Sequence, residues 1–524
     1  MPCNTISIYM HDTLLPAETK LLSLPCLLAQ GPRRSRKLAR ICTQTESSQL
    51  GAALLHLIHA APSFLAFLSP DALKNLSATS RELRKEVQAS VTSISGVRQH
   101  HFHLLVNPQW GFLKVLNLSG TKLNAGGMSL LIQGDWPILT KLDLSCNKLG
   151  RAAIAKLAEA DWPAVTSLNL SHNKLEDQAA QLLAGIAWPK MVSVNLSHNW
   201  EMGSGAAAWL VQAQWPALKS LDLEGTRVTL ASLLVGNWPE LEGLNLRDCY
   251  GAELAWNPSV HASTSISWRN LTNLDLKSHP LDPALVAHLN KECWPRLQRL
   301  RLADNALLPK AIGDFVLGSS WPLLTDLDCK GVCMPEFRGV RMCEILGQGG
   351  STLTGSTRLC FRHNFVSSVG VNLLFQGRWE VLQDLDLSRN VVLDAAAIAQ
   401  LVQGKFPNLR TLDLSYDRLD AGAIECLVHG AWPHLAQLYL QNEEPEGFLA
   451  NAAISVLLQG NWPSLQTFVL SVCDVRGAAF LLSGSRNVRG GDFSSVWKPR
   501  SRHFPSRWPC LRSVSFEQCL CPDF

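Results

Sequence analysis

Four arginines carry the most recognisable chemistry in this sequence: Arg299 and Arg301, then Arg358 and Arg362. A planar guanidinium donates two parallel hydrogen bonds, so such a group suits a carboxylate or phosphate on a partner. Asp326, Asp328 and Lys330 lie between the two pairs in the chain. The alternative expectation is therefore that the arginines pair with these aspartates. Tyr439, farther on, adds a large amphipathic ring to the candidate partner-binding set. Catalytic motifs are missing. The chain has no P-loop, no H-E-x-x-H, no G-x-S-x-G and no G-x-G-x-x-G after a strand. His100, His101 and His103 cluster, but adjacent histidines on an irregular stretch more often face solvent than hold metal. Cys329, Cys333 and Cys343, like Cys510, Cys519 and Cys521, lack paired C-x-x-C zinc spacing. The expectation is a non-enzyme with no cofactor and no metal.

Composition narrows the class. The 524 residues are 47% hydrophobic and 17% charged, enough to bury a large core. The net charge of +4 selects neither nucleic acid nor an acidic partner, and nucleic acid is not expected. No apolar run reaches the length of a membrane span. The apolar stretch Leu21–Leu28 follows Asp12 and Glu18 rather than basic residues, unlike a secretory signal. Fifteen cysteines, an odd number without a disulfide-like cluster, suit a reducing compartment. The expected location is the cytoplasm, with the nucleus as the alternative given Arg33, Arg34, Arg36, Lys37 and Arg40.

The elements that must position the arginines are announced by tryptophan. Trp110, Trp136, Trp162, Trp188, Trp215, Trp238, Trp268, Trp294 and Trp321 recur every 23 to 30 residues. Trp379, Phe406, Trp432, Trp462 and Trp508 continue the series. Residues 136–150 read WPILTKLDLSCNKLG, and residues 162–176 read WPAVTSLNLSHNKLE. Alternating Leu142 and Leu144 describe a short strand with one buried face. Asn147, Asn173, Asn199, Asn305, Asn364 and Asn390 share the position after it, where a buried amide can satisfy turn backbone. Ala152, Ile154 and Leu157, or Ala397, Ile398 and Leu401, give the apolar stripe of a helix. Pro after Trp fits a helix stop. Cys249, Cys473 and Cys519 fall where Asn falls elsewhere, and Cys329 replaces a strand leucine.

This Leu-x-x-Leu-x-Leu-x-x-Asn unit closely resembles the leucine-rich repeat, with a period near its ribonuclease-inhibitor and cysteine-containing types. The resemblance covers residues 110–524 in about 15 repeats. It implies an α/β solenoid, a horseshoe with parallel strands on the concave face and helices on the convex face. Residues flanking the strand leucines would then face the concave side, where Asp143, Asp222, Asp275, Asp328, Asp386 and Asp413 form one column. Local hydrogen bonding is the alternative reason for acidic residues there. Thirteen of the 17 tryptophans, at the helix-to-strand corner, are expected to be core.

Ahead of the repeats, residues 1–46 are expected to be a loosely ordered basic arm and residues 47–98 a helical segment. Residues 64–84 resemble the later part of an F-box through Leu68, Leu73, Leu76, Arg81, Leu83 and Arg84. The Leu-Pro pair that usually opens an F-box is not evident upstream. The array occupies 99–524, with insertions near 250–266, 331–357 and 474–507. The stretch 476–507 carries seven basic residues against Asp492, making it more basic than the chain as a whole.

The resemblance implies a protein-protein interaction adaptor that grips a protein on its concave face. With a working F-box it would be a substrate receptor of a ubiquitin ligase, docking a Skp-type adaptor through 47–98. With 47–98 as a helical cap only, it would be a scaffold without a ligase role. A GTPase-activating repeat protein of the Ran-activator type is the third reading, but its acidic tail has no counterpart here.

Overall fold

The computed structural model describes residues 93–95, 97, 102, 105–106, 111–250, 268–281, 285–286, 294–305, 321–331, 355–364, 366, 371, 379–390, 393–404, 406–417, 419–441, 449, 451–471 and 508–517. Residues 1–46 and Leu68, Leu73, Leu76, Arg81 and Leu83 lie outside the described residues, as does the insertion at 474–507. The chain divides into two compact units, Met1–Asn173 and Lys174–Phe524.

In the first unit, β1 (Ser93–Ser95), β2 (Val115–Asn117), β3 (Lys141–Asp143) and β4 (Ser167–Asn169) pair in parallel and in chain order. β1 falls within residues 47–98, one strand ahead of the first strand that follows a repeat tryptophan. The second unit runs β5 (Ser193–Asn195), β6 (Ser220–Asp222), β7 (Gly243–Asn245), β8 (Asn273–Asp275), β9 (Arg299–Arg301) and β10 (Asp326–Asp328). It continues with β11 (Arg358–Cys360), β12 (Asp384–Asp386), β13 (Thr411–Asp413), β14 (Gln437–Leu440), β15 (Thr467–Ser471) and β16 (Ser513–Glu517). These too pair in parallel with their chain neighbours, and the central apolar residues align, as Leu300, Leu327, Leu359 and Leu385 do. Short helices follow the strands: α1 (Ala125–Leu131), α2 (Arg151–Leu157), α3 (Asp177–Ala184), α4 (Ser204–Leu210), α5 (Leu230–Leu233), α6 (Ala395–Gln403), α7 (Ala421–Leu427) and α8 (Asn451–Leu457). Each unit is thus built as an α/β solenoid of leucine-rich repeats. No helix among the described residues is long and apolar enough to cross a membrane.

One repeat shows why the sequence folds this way. Trp136 O accepts from Leu139 N at 3.1 Å, and the same Trp-to-Leu turn recurs at Trp215 and Trp432. Pro stands second in that turn, where its fixed φ is favourable. The proline thus opens a turn into the strand as well as ending a helix. The central strand leucine and the leucine two residues later both go inside, as Leu142 and Leu144 do. The helix then packs apolar residues one turn apart. In α2 the buried set is Ala153, Ile154 and Leu157, while Ala152 is exposed. Helical periodicity selects Ala153 because it lies four residues before Leu157. In α6 the stripe is Ala397, Ile398 and Leu401, as the pattern gives. Asn124, Asp394 and Asp420 cap α1, α6 and α7 by accepting a backbone N–H three residues on.

Tryptophans fill the corners between helix and strand. Trp136, Trp162, Trp188, Trp215, Trp238, Trp268, Trp294, Trp379, Trp432, Trp462 and Trp508 are fully buried, whereas Trp200 is exposed. The Trp136 and Trp162 ring centroids lie 5.1 Å apart, and those of Trp462 and Trp508 5.9 Å. Trp162 Nε1 donates to Gly134 O, and Trp462 Nε1 to Gly430 O.

The asparagine position forms a second ladder. Asn173 Oδ1 accepts from Asn147 N and Leu149 N, while its Nδ2 donates to Leu144 O and Leu170 O. One side chain thereby satisfies four backbone groups that no strand or helix reaches. Substitutes keep parts of this scheme. Cys249 donates to Leu223 O at 3.2 Å, with burial pushing the thiol up to about 11. Cys329 is buried as a strand leucine substitute. His279 takes the same place: Leu230 N donates to Nε2 at 3.0 Å, so Nδ1 carries the proton and faces Leu246 O at 3.2 Å.

Candidate functional site

Exact strand register turns alternating residues into rows across the open face of the second unit. One row reads Arg299, Asp326, Arg358, Asp384, Thr411, Gln437. The other reads Asp275, Arg301, Asp328, Cys360, Asp386, Asp413, Tyr439. Residues far apart in sequence thus become neighbours about 4.8 Å apart.

Over β9 to β14 these rows line a depression of about 450 Å³, with Arg301, Asp326, Asp328, Arg358, Cys360, Asp384, Asp386, Thr411, Asp413, Gln437 and Tyr439 in its wall. Arg358 leans between two strands. Its Nε lies 3.2 Å from Asp384 Oδ2 and an Nη 3.9 Å from Asp326 Oδ2, with the side chain 62% exposed. Arg301 reaches back to Asp275 at 3.3 Å. The pairing of Arg with Asp is therefore present, although Asp275 and Asp384 take larger parts than Asp328. Arg299 is exposed and makes no ion pair among the described residues. It lines a second depression of about 240 Å³ over β6 to β9, alongside Asp222, Asn245, Asn273, Asp275 and Arg301, the last of which lines both depressions. Arg362 stands beyond the strand, in the turn, and its buried Nε has no hydrogen-bond partner. It does not line the depression, but its charge acts on Asp413 in the wall.

The acidic column has a local use. Asp143, Asp222, Asp275, Asp328, Asp386 and Asp413 each accept the N–H two residues on, for example Ser388 N to Asp386 at 2.9 Å. One oxygen of each carboxylate closes the turn after its strand. Burial raises the Asp413 carboxyl above its usual range, while bonds from Ser415 and the Arg362 charge oppose the rise. Burial also pushes the Cys360 thiol up, reinforced by Asp386 and Asp328, and Sγ donates to Asp386 Oδ2 at 3.4 Å. A protonated thiol held this way is a poor nucleophile. Tyr439 donates to Gln437 Oε1 at 3.2 Å, and its hydroxyl is raised by burial and by Asp413. Two guanidinium groups against five carboxylates leave the depression acidic, with an aromatic ring at one end. Among the described residues no three His, Cys, Asp or Glu side chains converge as metal ligands.

The sequence pattern placed Arg301, Asp326, Asp328, Arg358 and Tyr439 in one site, and the register brings these together. The pattern also put Arg299 and Arg362 in that set, and neither lines this depression, while it missed Asp384, Thr411 and Gln437. These three flank the strand leucines on the side opposite the acidic column, so reading both rows finds them.

Residues 137–158 and 164–184 match the Leucine Rich repeat family. No curated protein matches the sequence. Among solved structures, the TLR13–ssRNA13 complex is similar at 19% identity and a TM-score of 0.44, covering 76% of this chain and 56% of that one. The chain thus spans little more than half the length of TLR13. A leucine-rich-repeat protein of Leptospira interrogans is similar at 18% identity and a TM-score of 0.38, covering 79% of this chain and 92% of its own. The Rad7–Elc1 complex of yeast is similar at 16% identity and a TM-score of 0.35, covering 81% of this chain and 94% of that one.

Proposed function

We propose that this protein is a binding protein, not an enzyme, and that the face of β9 to β14 captures a protein partner bearing charges of both signs. The observation that carries this reading is Arg358, held between Asp326 and Asp384 over an acidic depression that ends at Tyr439. Held charges recognise a complementary surface without the entropic cost of ordering them at binding. Affinity capture with the full chain tests it. Changing Arg301 and Arg358 together to Glu lowers retention of the captured partner at least tenfold, about 1.4 kcal/mol. Undiminished capture by a folded double variant rejects the site.

A finer form of the reading makes the protein an F-box-type receptor of a ubiquitin ligase, with 47–98 docking a Skp-type adaptor. It rests on the resemblance carried by Leu68, Leu73, Leu76, Arg81 and Leu83. The alternative is a scaffold in which 47–98 caps the array. A Skp-type adaptor that binds the full chain and is lost with Leu73→Glu and Leu76→Glu supports the first form. Absence of binding at micromolar concentration leaves the scaffold.

A further inference from the structure

Asp417 occupies the asparagine position of the repeat built on β13, three residues after Leu414 as Asn390 is three after Leu387. It is fully buried. Its Oδ1 accepts from Asn390 N at 2.6 Å, as Asn390 Oδ1 accepts from Asn364 N at 2.9 Å and Val366 N at 3.1 Å. The other oxygen differs. Asn390 uses Nδ2 to donate to Phe361 O and Leu387 O. Asp417 Oδ2 stands where that amide stands, is buried, and has no hydrogen-bond partner. By the repeat register it faces the carbonyls of Leu387 and Leu414. A carboxylate has nothing to donate to a carbonyl, so two acceptors would meet in a buried site.

We propose that Asp417 is held as a neutral carboxylic acid whose proton fastens the β13 repeat to the β12 repeat, and that its ionisation unfastens the turn at 415–419. The surroundings fit. Asp413 and Asp386 oppose a negative charge at this point, and Arg362 is the described cation that favours one. Arg389, on the β12 turn, lies over the Tyr416 ring at 4.0 Å. Burial is the largest influence and raises the Asp417 carboxyl well above its ordinary range. The native state therefore keeps this proton at pH values where the unfolded chain has released it. The stabilising contribution is full below the unfolded-state value and is lost as pH rises through the folded-state value. The turn carries Tyr416 in a left-handed conformation (φ 65°) and follows directly on Asp413 of the acidic depression, so the device sits under that surface without depending on what binds there.

The test compares the full-length protein with its Asp417→Asn variant, which supplies the missing donor at every pH. The expected result is a Tm raised by about 2 °C or more near pH 7.5, with the gain shrinking toward pH 4.5. Backbone amides at 414–419 should also exchange more slowly in the variant near neutral pH. Asp417→Ala, which removes acceptor and donor alike, should lower Tm at both pH values. A variant Asp417→Asn with the same Tm offset at both pH values, whether zero, positive or negative, overturns the proposal.

Discussion

His279 shows how far a single side chain tunes the ladder. Its ring is neutral because Leu230 N donates to Nε2, and burial lowers its pKa from the usual 6.5 to about 4. The folded value lies below the unfolded one. The contribution is therefore present above pH 6.5 and is lost as pH falls toward 4, amounting to about 3 kcal/mol. Denaturant unfolding from pH 7 down to pH 4 should show wild type losing about 3 kcal/mol more than His279→Asn. Parallel curves would mean that the ring is not held neutral by this bond. The sign is opposite to that of Asp417, so the two ladder substitutes respond to pH in opposite directions. The pattern Leu-x-x-Leu-x-Leu-x-x-Asn marks both positions, but residue type alone does not say which proton each must keep. That follows from which backbone groups face it.

At the scale of elements, the tryptophan corner sets what a repeat tolerates. Gly430 lies two residues before Trp432, and a Cβ there would sit 2.5 to 2.7 Å from the ring. Gly134, Gly236 and Gly460 stand in the same relation to Trp136, Trp238 and Trp462. Gly243 opens β7 on the free face, where a Cβ meets nothing within 4 Å. Gly430→Ala should therefore destabilise by about 1–3 kcal/mol through overpacking. Gly243→Ala should be neutral or stabilising by up to about 1 kcal/mol. Thermal unfolding of the two variants checks the contrast, and equal effects would contradict the corner packing. Trp162→Ala, which empties a stacked and hydrogen-bonded site, should cost about 3–5 kcal/mol by denaturant unfolding. The tryptophan spacing made the ladder legible in the sequence. The glycine before each ring was not read, because its reason is a contact with the ring rather than a turn.

For the whole molecule, the repeat period was enough to give parallel strands in chain order, because each unit can bury its leucines only against the next. The candidate site was partly legible. Arg301 and Arg358 stand out as breaks in an acidic column, but their true neighbours depend on register across several repeats. Asp384 lies 26 residues from Arg358 yet is its nearest ion-pair partner at 3.2 Å. Reading one column conceals such a pair, and Arg362 shows the reverse error, a nearby arginine in the turn that does not line the depression. The central claim is that the charge pattern over β9 to β14 selects a protein partner. Exchanging Arg358 and Asp384 (Arg358→Asp with Asp384→Arg) keeps an internal ion pair while inverting the pattern presented. Measured by affinity capture beside wild type, this swap should unfold at an unchanged Tm and retain the wild-type partner at least tenfold less well. Equal retention of that partner by the folded swap variant would contradict the account.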